Sequence, residues 1–251
     1  MDLGLAGRTY IVTGGTRGLG RATAEVLVAE GANVVLSSRS QDSVDATVAA
    51  LGGRATGVAV DNSDPDAATA LLEAAQETFG GVHGALVSVG GPPPGTVLGR
   101  SDDEWRQAFE SIFLGGLRVA TTVANAIEAE GSIALVLSTS VKQPVTGLGI
   151  SNGLRPGLAM AAKDLADELG PRGVRVNTLL PGRVDTERVR ELDALAGDAA
   201  AARERTAAGI PLRRYGHPAE FGRAAAFLLS PASGYLTGVM LPVDGGLTRG
   251  L

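Results

Sequence analysis

The chain has 251 residues, 44% of them hydrophobic, and a formal net charge of −5; that is enough apolar side chain for a large core, and the acidic balance argues against a nucleic-acid role. Cysteine is absent, which excludes disulfides and thiolate metal sites, and the two histidines, His83 and His217, are too few for a histidine-based metal centre. No apolar stretch reaches membrane-spanning length and the N-terminus carries no signal-peptide pattern, so a soluble, cytoplasmic protein with no membrane partner is expected.

Arg8-Thr9-Tyr10-Ile11-Val12 reads as a short buried strand, near 9–13, that runs into the turn Thr13-Gly14-Gly15-Thr16-Arg17-Gly18-Leu19-Gly20. A helix over 19–30 follows, with Ala22, Ala24, Val26, Leu27 and Ala29 making it small or apolar on much of its surface. Then come a strand at 32–37, a helix at 42–51, a strand at 55–60, a helix at 65–79 and a strand at 84–89. A long helix is expected near 103–128, a strand at 132–138, a helix from about 152 to 169 and a strand at 174–179. Pro156 sits badly in a helix interior, which favours a late start for the helix that contains it. The segment 183–216, rich in charges and alanines, reads as a substrate lid, and a helix at 219–229 and a strand at 238–242 close the chain. Strand and helix alternate without a linker, repeat or low-complexity run. The expected fold is therefore one α/β domain over 1–251, a doubly wound Rossmann fold whose parallel sheet carries helices on both faces.

In such a sheet, ligands bind outside the C-terminal strand ends, so the turns after Val12, Ser37, Val60, Val89, Ser138 and Leu180 share one functional edge. Within the first turn the glycines have separate physical tasks. Gly14 permits backbone angles closed to other residues, Gly18 lets the main chain approach a pyrophosphate, and Gly20 allows close packing of helix on strand. The helix N-terminus then faces the phosphates.

The spacing Thr-Gly-x-x-x-Gly-x-Gly resembles the short-chain dehydrogenase/reductase family, and further segments fall in that family's order. Val60-Asp61-Asn62 is similar to its acidic turn beside the adenine, and Asn177-Thr178-Leu179-Leu180-Pro181-Gly182-Arg183-Val184-Asp185-Thr186 to its segment at the nicotinamide. Val243-Asp244-Gly245-Gly246 resembles its closing strand and turn. The resemblance covers essentially the whole chain. It implies a dinucleotide site built from Gly14, Thr16, Arg17, Gly18, Leu19, Gly20, Asp61, Asn62, Gly90, Pro181, Gly182, Val184 and Thr186, and a small-molecule substrate. It also implies pairing through the two long helices beside the site, 105–128 and 152–169 here, into a homotetramer or homodimer.

Cofactor choice is read at the end of the second strand. An NAD-selective chain places an acidic side chain there against the ribose hydroxyls, whereas this one has Ser38-Arg39, with Arg17 within reach of the same region. Unless both arginines are merely solvated surface residues, they attract a 2′-phosphate, and NADP(H) is expected over NAD(H).

The catalytic face departs from the family. The resemblance implies a serine after the fifth strand, here Ser138, and a Tyr-x-x-x-Lys pair on the next helix, where this chain has Ser151 and Arg155. Ile112 stands where a relay asparagine is expected, and Val87-Ser88-Val89-Gly90 replaces an Asn-Asn-Ala-Gly turn. None of the three tyrosines, Tyr10, Tyr215 and Tyr235, falls where it can serve the nicotinamide. A serine hydroxyl is a far weaker acid than a tuned phenol, and an arginine stays charged. Ser151 and Arg155 are four apart and share a helix face, so Arg155 can offer its donor fork to a substrate carbonyl or carboxylate. Lys142, near Ser140 and Gln143 at the mouth of the site, is either a replacement acid with a burial-depressed pKa or a solvated loop lysine. Three functions remain open: an NADP(H)-dependent oxidoreductase with rebuilt proton delivery, a catalytically silent NADP(H)-binding or interaction protein, and another reaction on an anionic substrate held by Arg155.

Overall fold

The computed structural model describes residues 2–195 and 197–250. Its strands are β1 (Thr9–Val12), β2 (Asn33–Ser38), β3 (Ala55–Ala59), β4 (Gly84–Ser88), β5 (Gly131–Val136), β6 (Val174–Pro181) and β7 (Met240–Val243). All pair in parallel in the order β3-β2-β1-β4-β5-β6-β7, so the chain winds outward from β1 in one direction, then returns and continues from β4 in the other. This is the doubly wound Rossmann arrangement. The helices are α1 (Gly18–Ala29), α2 (Gln41–Leu51), α3 (Ala67–Phe79), α4 (Asp102–Ala108), α5 (Gly115–Ala126), α6 (Gly149–Leu169), α7 (Glu187–Ala194), α8 (Ala199–Gly209) and α9 (Pro218–Leu229). None of the described helices is long and apolar enough to cross a membrane.

Both faces of the sheet are covered, which is why its strands read as continuous apolar runs. Side-chain alternation then splits each strand between two cores. Ile11, Val35, Val87, Ile133 and Leu135 pack with Leu71 of α3, Val123 of α5 and Leu158 of α6. Tyr10, Val12, Val34, Leu86 and Val136 pack on the other face with Leu27 of α1 and Phe221 and Leu228 of α9.

Several elements differ from the sequence expectation. The long helix expected near 103–128 is broken by a wide π turn over Phe109–Leu114, between α4 and α5. Such turns insert a residue into the helical repeat and re-aim the side chains beside it. Here α5 begins on Gly115, packed so tightly on the Asn62 carbonyl that an added Cβ would overlap it. The helix expected from about 152 starts at Gly149 and keeps Pro156 inside. Its first turn is pinned from outside: the Asn152 amide exchanges hydrogen bonds of 3.0 and 2.9 Å with the Val145 backbone, and Gly149 N donates to Gly95 O at 2.8 Å. Those bonds offset the one that Pro156 cannot donate. β6 runs two residues past the expected end, to Pro181, because Thr178–Pro181 pair with β7. The segment 183–216, expected as a lid, contains two helices, α7 and α8, each with a side-chain N-cap: Thr186 Oγ1 accepts from Val189 N and Asp198 Oδ1 from Ala201 N.

The tightest helix contact on the α1 side joins α1 to α9. Gly222 lies so close to Ala22 that a Cβ would stand 2.5 Å from the Ala22 carbonyl oxygen. Gly222→Ala is therefore expected to lower the unfolding free energy by about 1–3 kcal/mol in denaturant melts. Cofactor affinity should stay unchanged, since Gly222 does not line the cleft described below; equal stability of variant and parent would refute the close packing.

Candidate functional site

β1 and β4 are neighbours, yet the turns that follow them leave toward opposite faces, and a cleft opens between. Thr13 holds this crossing. Its hydroxyl donates to Ser88 O at 3.0 Å and accepts from Ser88 N at 2.8 Å, so both backbone groups at the end of β4 are satisfied by one side chain. Gly15 N reaches Ser37 O at 3.0 Å and fastens the glycine turn to β2. Gly14 has a φ of 58°, in the region that favours glycine. A Cβ on Gly20 would collide with the Gly14 carbonyl, so the turn folds onto the start of α1 only with glycine there.

The cleft has a volume of about 610 Å³. Gly14, Thr16, Arg17, Gly18, Leu19 and Gly20 line it from the first turn, Ser38 and Arg39 from the end of β2, and Asp61 and Asn62 from the end of β3. Gly90 lines it after β4, and Pro181, Gly182, Val184 and Thr186 after β6. Ser138, Ser151 and Arg155 border the same space. Lys142 does not: its side chain is exposed, outside the lining, and makes no hydrogen bond to a described residue of the site. The tyrosines are elsewhere. Tyr10 is buried with its hydroxyl on Leu229 O, Tyr215 donates to Asp193, and Tyr235 is fully exposed.

The electrostatics differ between the two ends. At the β2–β3 end, Arg17 and Arg39 are solvent-accessible cations. The Asp61 carboxyl is held below the usual carboxylate range, first by the Ser63 backbone N–H, then by the Ser63 hydroxyl and by the nearby charge of Arg39. At the β5–α6 end the cation is buried. Arg155 is 5% exposed and donates from Nη1 to Val136 O at 2.9 Å, and no described carboxylate pairs with it. Burial pulls its pKa down to about 10, which leaves the guanidinium charged at neutral pH. One turn earlier on α6, Ser151 Oγ lies 3.2 Å from Ser140 Oγ, both buried, and Ser140 N donates to Ser138 Oγ at 3.1 Å. Ser151 and Ser140 thus form a hydroxyl pair, tied to Ser138 through the Ser140 backbone amide, at the end of the cleft that Arg155 borders. Ile112, from the π turn, closes this end with an apolar side chain. Among the described residues no cluster of His, Asp or Glu is arranged to hold a metal.

Other lining residues were not foreseen from the sequence. Glu104, Gln107 and Ser111 form a polar stripe along α4 and the π turn, and Arg188, Glu191 and Leu192 project from α7. The stripe has helical spacing and was open to detection; the α7 residues were not, since nothing local in 183–216 fixes which way the lid faces. Across the cleft, Arg188 Nη2 donates to Pro92 O at 2.9 Å, and Arg17 approaches Glu187 at 3.8 Å. The α7–α8 segment is anchored behind by Asp185, which takes two bonds of 3.0 Å from Arg203 and one of 2.9 Å from Arg190. Those bonds, Arg203's first, hold the Asp185 carboxyl down at about 2.

Residues 14–248 match a family model described as enoyl-(acyl carrier protein) reductase. The chain is 30% identical to the 3-oxoacyl-[acyl-carrier-protein] reductase FabG of Vibrio cholerae, over 98% of this chain and 99% of that protein. It is 35% identical to the short-chain reductase protein NovJ of Streptomyces niveus, over 94% and 92% respectively. Among solved structures, the L-sorbose reductase of Gluconobacter frateurii, complexed with NADPH and L-sorbose, superposes with a TM-score of 0.95 at 28% identity, with each chain fully covered.

The Asp185 anchor makes a pH prediction. Its folded pKa is depressed, so its contribution is present above the ordinary carboxylate range and is lost as pH falls from about 4 toward 2. Asp185→Asn is expected to speed hydrogen exchange across α7 and α8 several-fold at pH 7, while the core strands stay protected. Unchanged exchange in the lid would show that the anchor does not hold it.

Proposed function

The chain belongs to the short-chain dehydrogenase/reductase family of oxidoreductases, and we propose that it is an NADP(H)-dependent member acting on a small carbonyl or hydroxyl substrate through a rebuilt site. The observation that carries this reading is the gathering of all the cofactor-type residues onto one cleft with Ser138, Ser151 and Arg155. The glycine cradle fits a dinucleotide: Gly20 packs where a Cβ would strike Gly14, and Gly18, Leu19 and Gly20 bring the start of α1, where helix N–H groups are unpaired, to the cleft wall. Ser38, Arg39 and Arg17 supply a hydroxyl and two cations where a 2′-phosphate is recognised, and no acidic residue occupies the end of β2. The NADPH in the sorbose reductase complex supports the same choice.

When bound, the reduced nicotinamide supplies hydride. The chain's own task is to place the substrate oxygen and to manage its charge and proton. Ser138 and Ser151 offer hydroxyl donors, and the Ser151–Ser140 contact gives a proton a path of hydroxyls toward the loop after β5. Arg155 offers positive charge without giving up a proton. A positioned acid typically contributes about 10²–10⁴ in rate, so chemistry here rests more on proximity and on electrostatic stabilisation than on proton transfer from a phenol. Self-association through α5 and α6 is part of the proposal; α6 borders the cleft through Ser151 and Arg155, and its Met160 is exposed.

A silent cofactor-binding role is favoured by one observation, that no tyrosine lines the cleft. Two measurements separate the readings. Calorimetry is expected to show NADPH binding at least about ten-fold tighter than NADH, with the gap narrowing in Arg39→Ala; equal affinities would remove the NADP(H) assignment. A screen of aldehydes, ketones and quinones for NADPH consumption then tests turnover, and tight binding without any turnover would leave the silent reading. In the oxidoreductase reading, Ser151→Tyr combined with Arg155→Lys reduces or redirects the native turnover. In the silent reading the same pair, with Ile112→Asn, creates carbonyl reduction where none existed.

A further inference from the structure

The buried cation at the β5–α6 end has no counter-charge among the described residues, and the cleft opens onto it. Every other arginine of the cleft has a use for its charge or a path to water. Arg17 approaches Glu187, Arg188 bonds Pro92 O and approaches Glu191, and Arg39 is exposed beside Asp61. Arg155 is different. It is 5% exposed, spends one donor on Val136 O, and offers the rest of its five N–H groups to no acceptor among the described residues. A charge removed from water without a partner is unfavourable, and ligand binding offsets that cost only if the ligand brings an opposite charge.

We propose that Arg155 is the receptor for a carboxylate on the substrate, so that the reaction is one of keto acids and hydroxy acids rather than of neutral carbonyl compounds. This rests on the oxidoreductase reading above for the reaction, though not for the binding. The chemistry selects a carboxylate. A planar guanidinium meets it through two parallel hydrogen bonds, and one cation balances one negative charge. A phosphate, with more charge and more acceptor oxygens, calls for several cations or a nest of backbone N–H groups, and only one cation is buried here. Ser151 leaves open the space that a phenol ring would fill beside Arg155, and the hydroxyls of Ser151 and Ser138, which line the cleft with it, are neutral donors to the group that enters. Ile112 and Leu137 border the same end and limit competing water.

The test uses the full chain loaded with NADP+ and pairs of isosteric probes: 2-oxobutyrate, acetoacetate and benzoate against 2-oxobutyramide, acetoacetamide and benzamide. Calorimetry is expected to show at least one acid binding about ten-fold or more tighter than its amide. That preference should collapse in Arg155→Gln and survive in part in Arg155→Lys, with NADPH affinity near the parent value in both. No acid preference anywhere in the panel overturns the proposal. So does an Arg155→Gln protein that loses NADPH affinity while keeping any acid preference, since the arginine then serves the cofactor. Should the glutamine variant not fold, the acid-against-amide comparison in the parent chain and in Arg155→Lys still decides. Acid-selective binding that Arg155→Gln abolishes, with no NADPH oxidation by either keto acid, upholds the carboxylate site and overturns its assignment to a keto-acid reaction. Oxidation of NADPH by neutral ketones without acid preference overturns the carboxylate site and upholds the oxidoreductase reading.

Discussion

The reciprocal contact between Thr13 and Ser88 is the point on which the site depends. A parallel sheet whose winding reverses between β1 and β4 must separate the two chains that leave those strands. Beyond Val12 and Leu86 the strand ladder ends, and the next backbone groups of β4 face a gap. The Thr13 hydroxyl fills both roles that a neighbouring strand would have filled, donor and acceptor, at 3.0 and 2.8 Å. With the gap fixed in this way, the glycine turn can fold to one side and Val89-Gly90 to the other. The cleft is thus a consequence of the topology, and the residues lining it inherit their positions from strand ends rather than from loops that must order themselves.

The opposite end of the cleft is built on a different balance. Arg155 is costly for the fold, because a charge in an apolar setting gains little from one bond to a carbonyl. Its neighbours do nothing to relieve that cost: Ile112 is apolar, and the serines are neutral. A position that evolved only for stability would carry a methionine or a leucine on this face of α6. In the proposed carboxylate site, the ligand supplies the missing counter-charge. Local rules broken without a compensating contact within the chain are expected where a ligand supplies the missing half.

Much of the fold was legible because its signals are local. Glycine spacing, short β-branched runs and alternation of strand with helix report on bonds within a few residues, and each of the expected strands is present. What was not legible depends on distant partners. Nothing within 103–128 announces the π turn, which accompanies the close approach of Gly115 to Asn62, a residue from the β3 side of the sheet. The early start of α6, ahead of Pro156, is held by Val145 and by Gly95, the latter more than fifty positions upstream. The lid helices lacked an apolar stripe to betray them, since α8 is mostly alanine with charges spread around it, and they are fixed instead by caps and by Asp185. For the site, the residues singled out by motif spacing line one cleft, while Lys142, ambiguous from sequence because burial is a tertiary property, lies outside that lining.

The start of α7 reaches two walls of the cleft, at Pro92 and at Arg17. Arg188 reaches from α7 to the Pro92 carbonyl on the opposite wall, a short bond from a partly buried side chain. Arg17 and Glu187 face each other at 3.8 Å, but both side chains are 67% exposed, and an ion pair so open to solvent contributes little. In the proposed NADP(H)-bound state a 2′-phosphate competes with Glu187 for Arg17. It carries more charge and more acceptors than a single carboxylate, so Arg17 turns toward the cofactor. The contact that the lid gives up is the weak one, and Arg188 remains as its hold on the wall. A bound cofactor can then draw on Arg17 while the Arg188 bond to the Pro92 carbonyl stays in place.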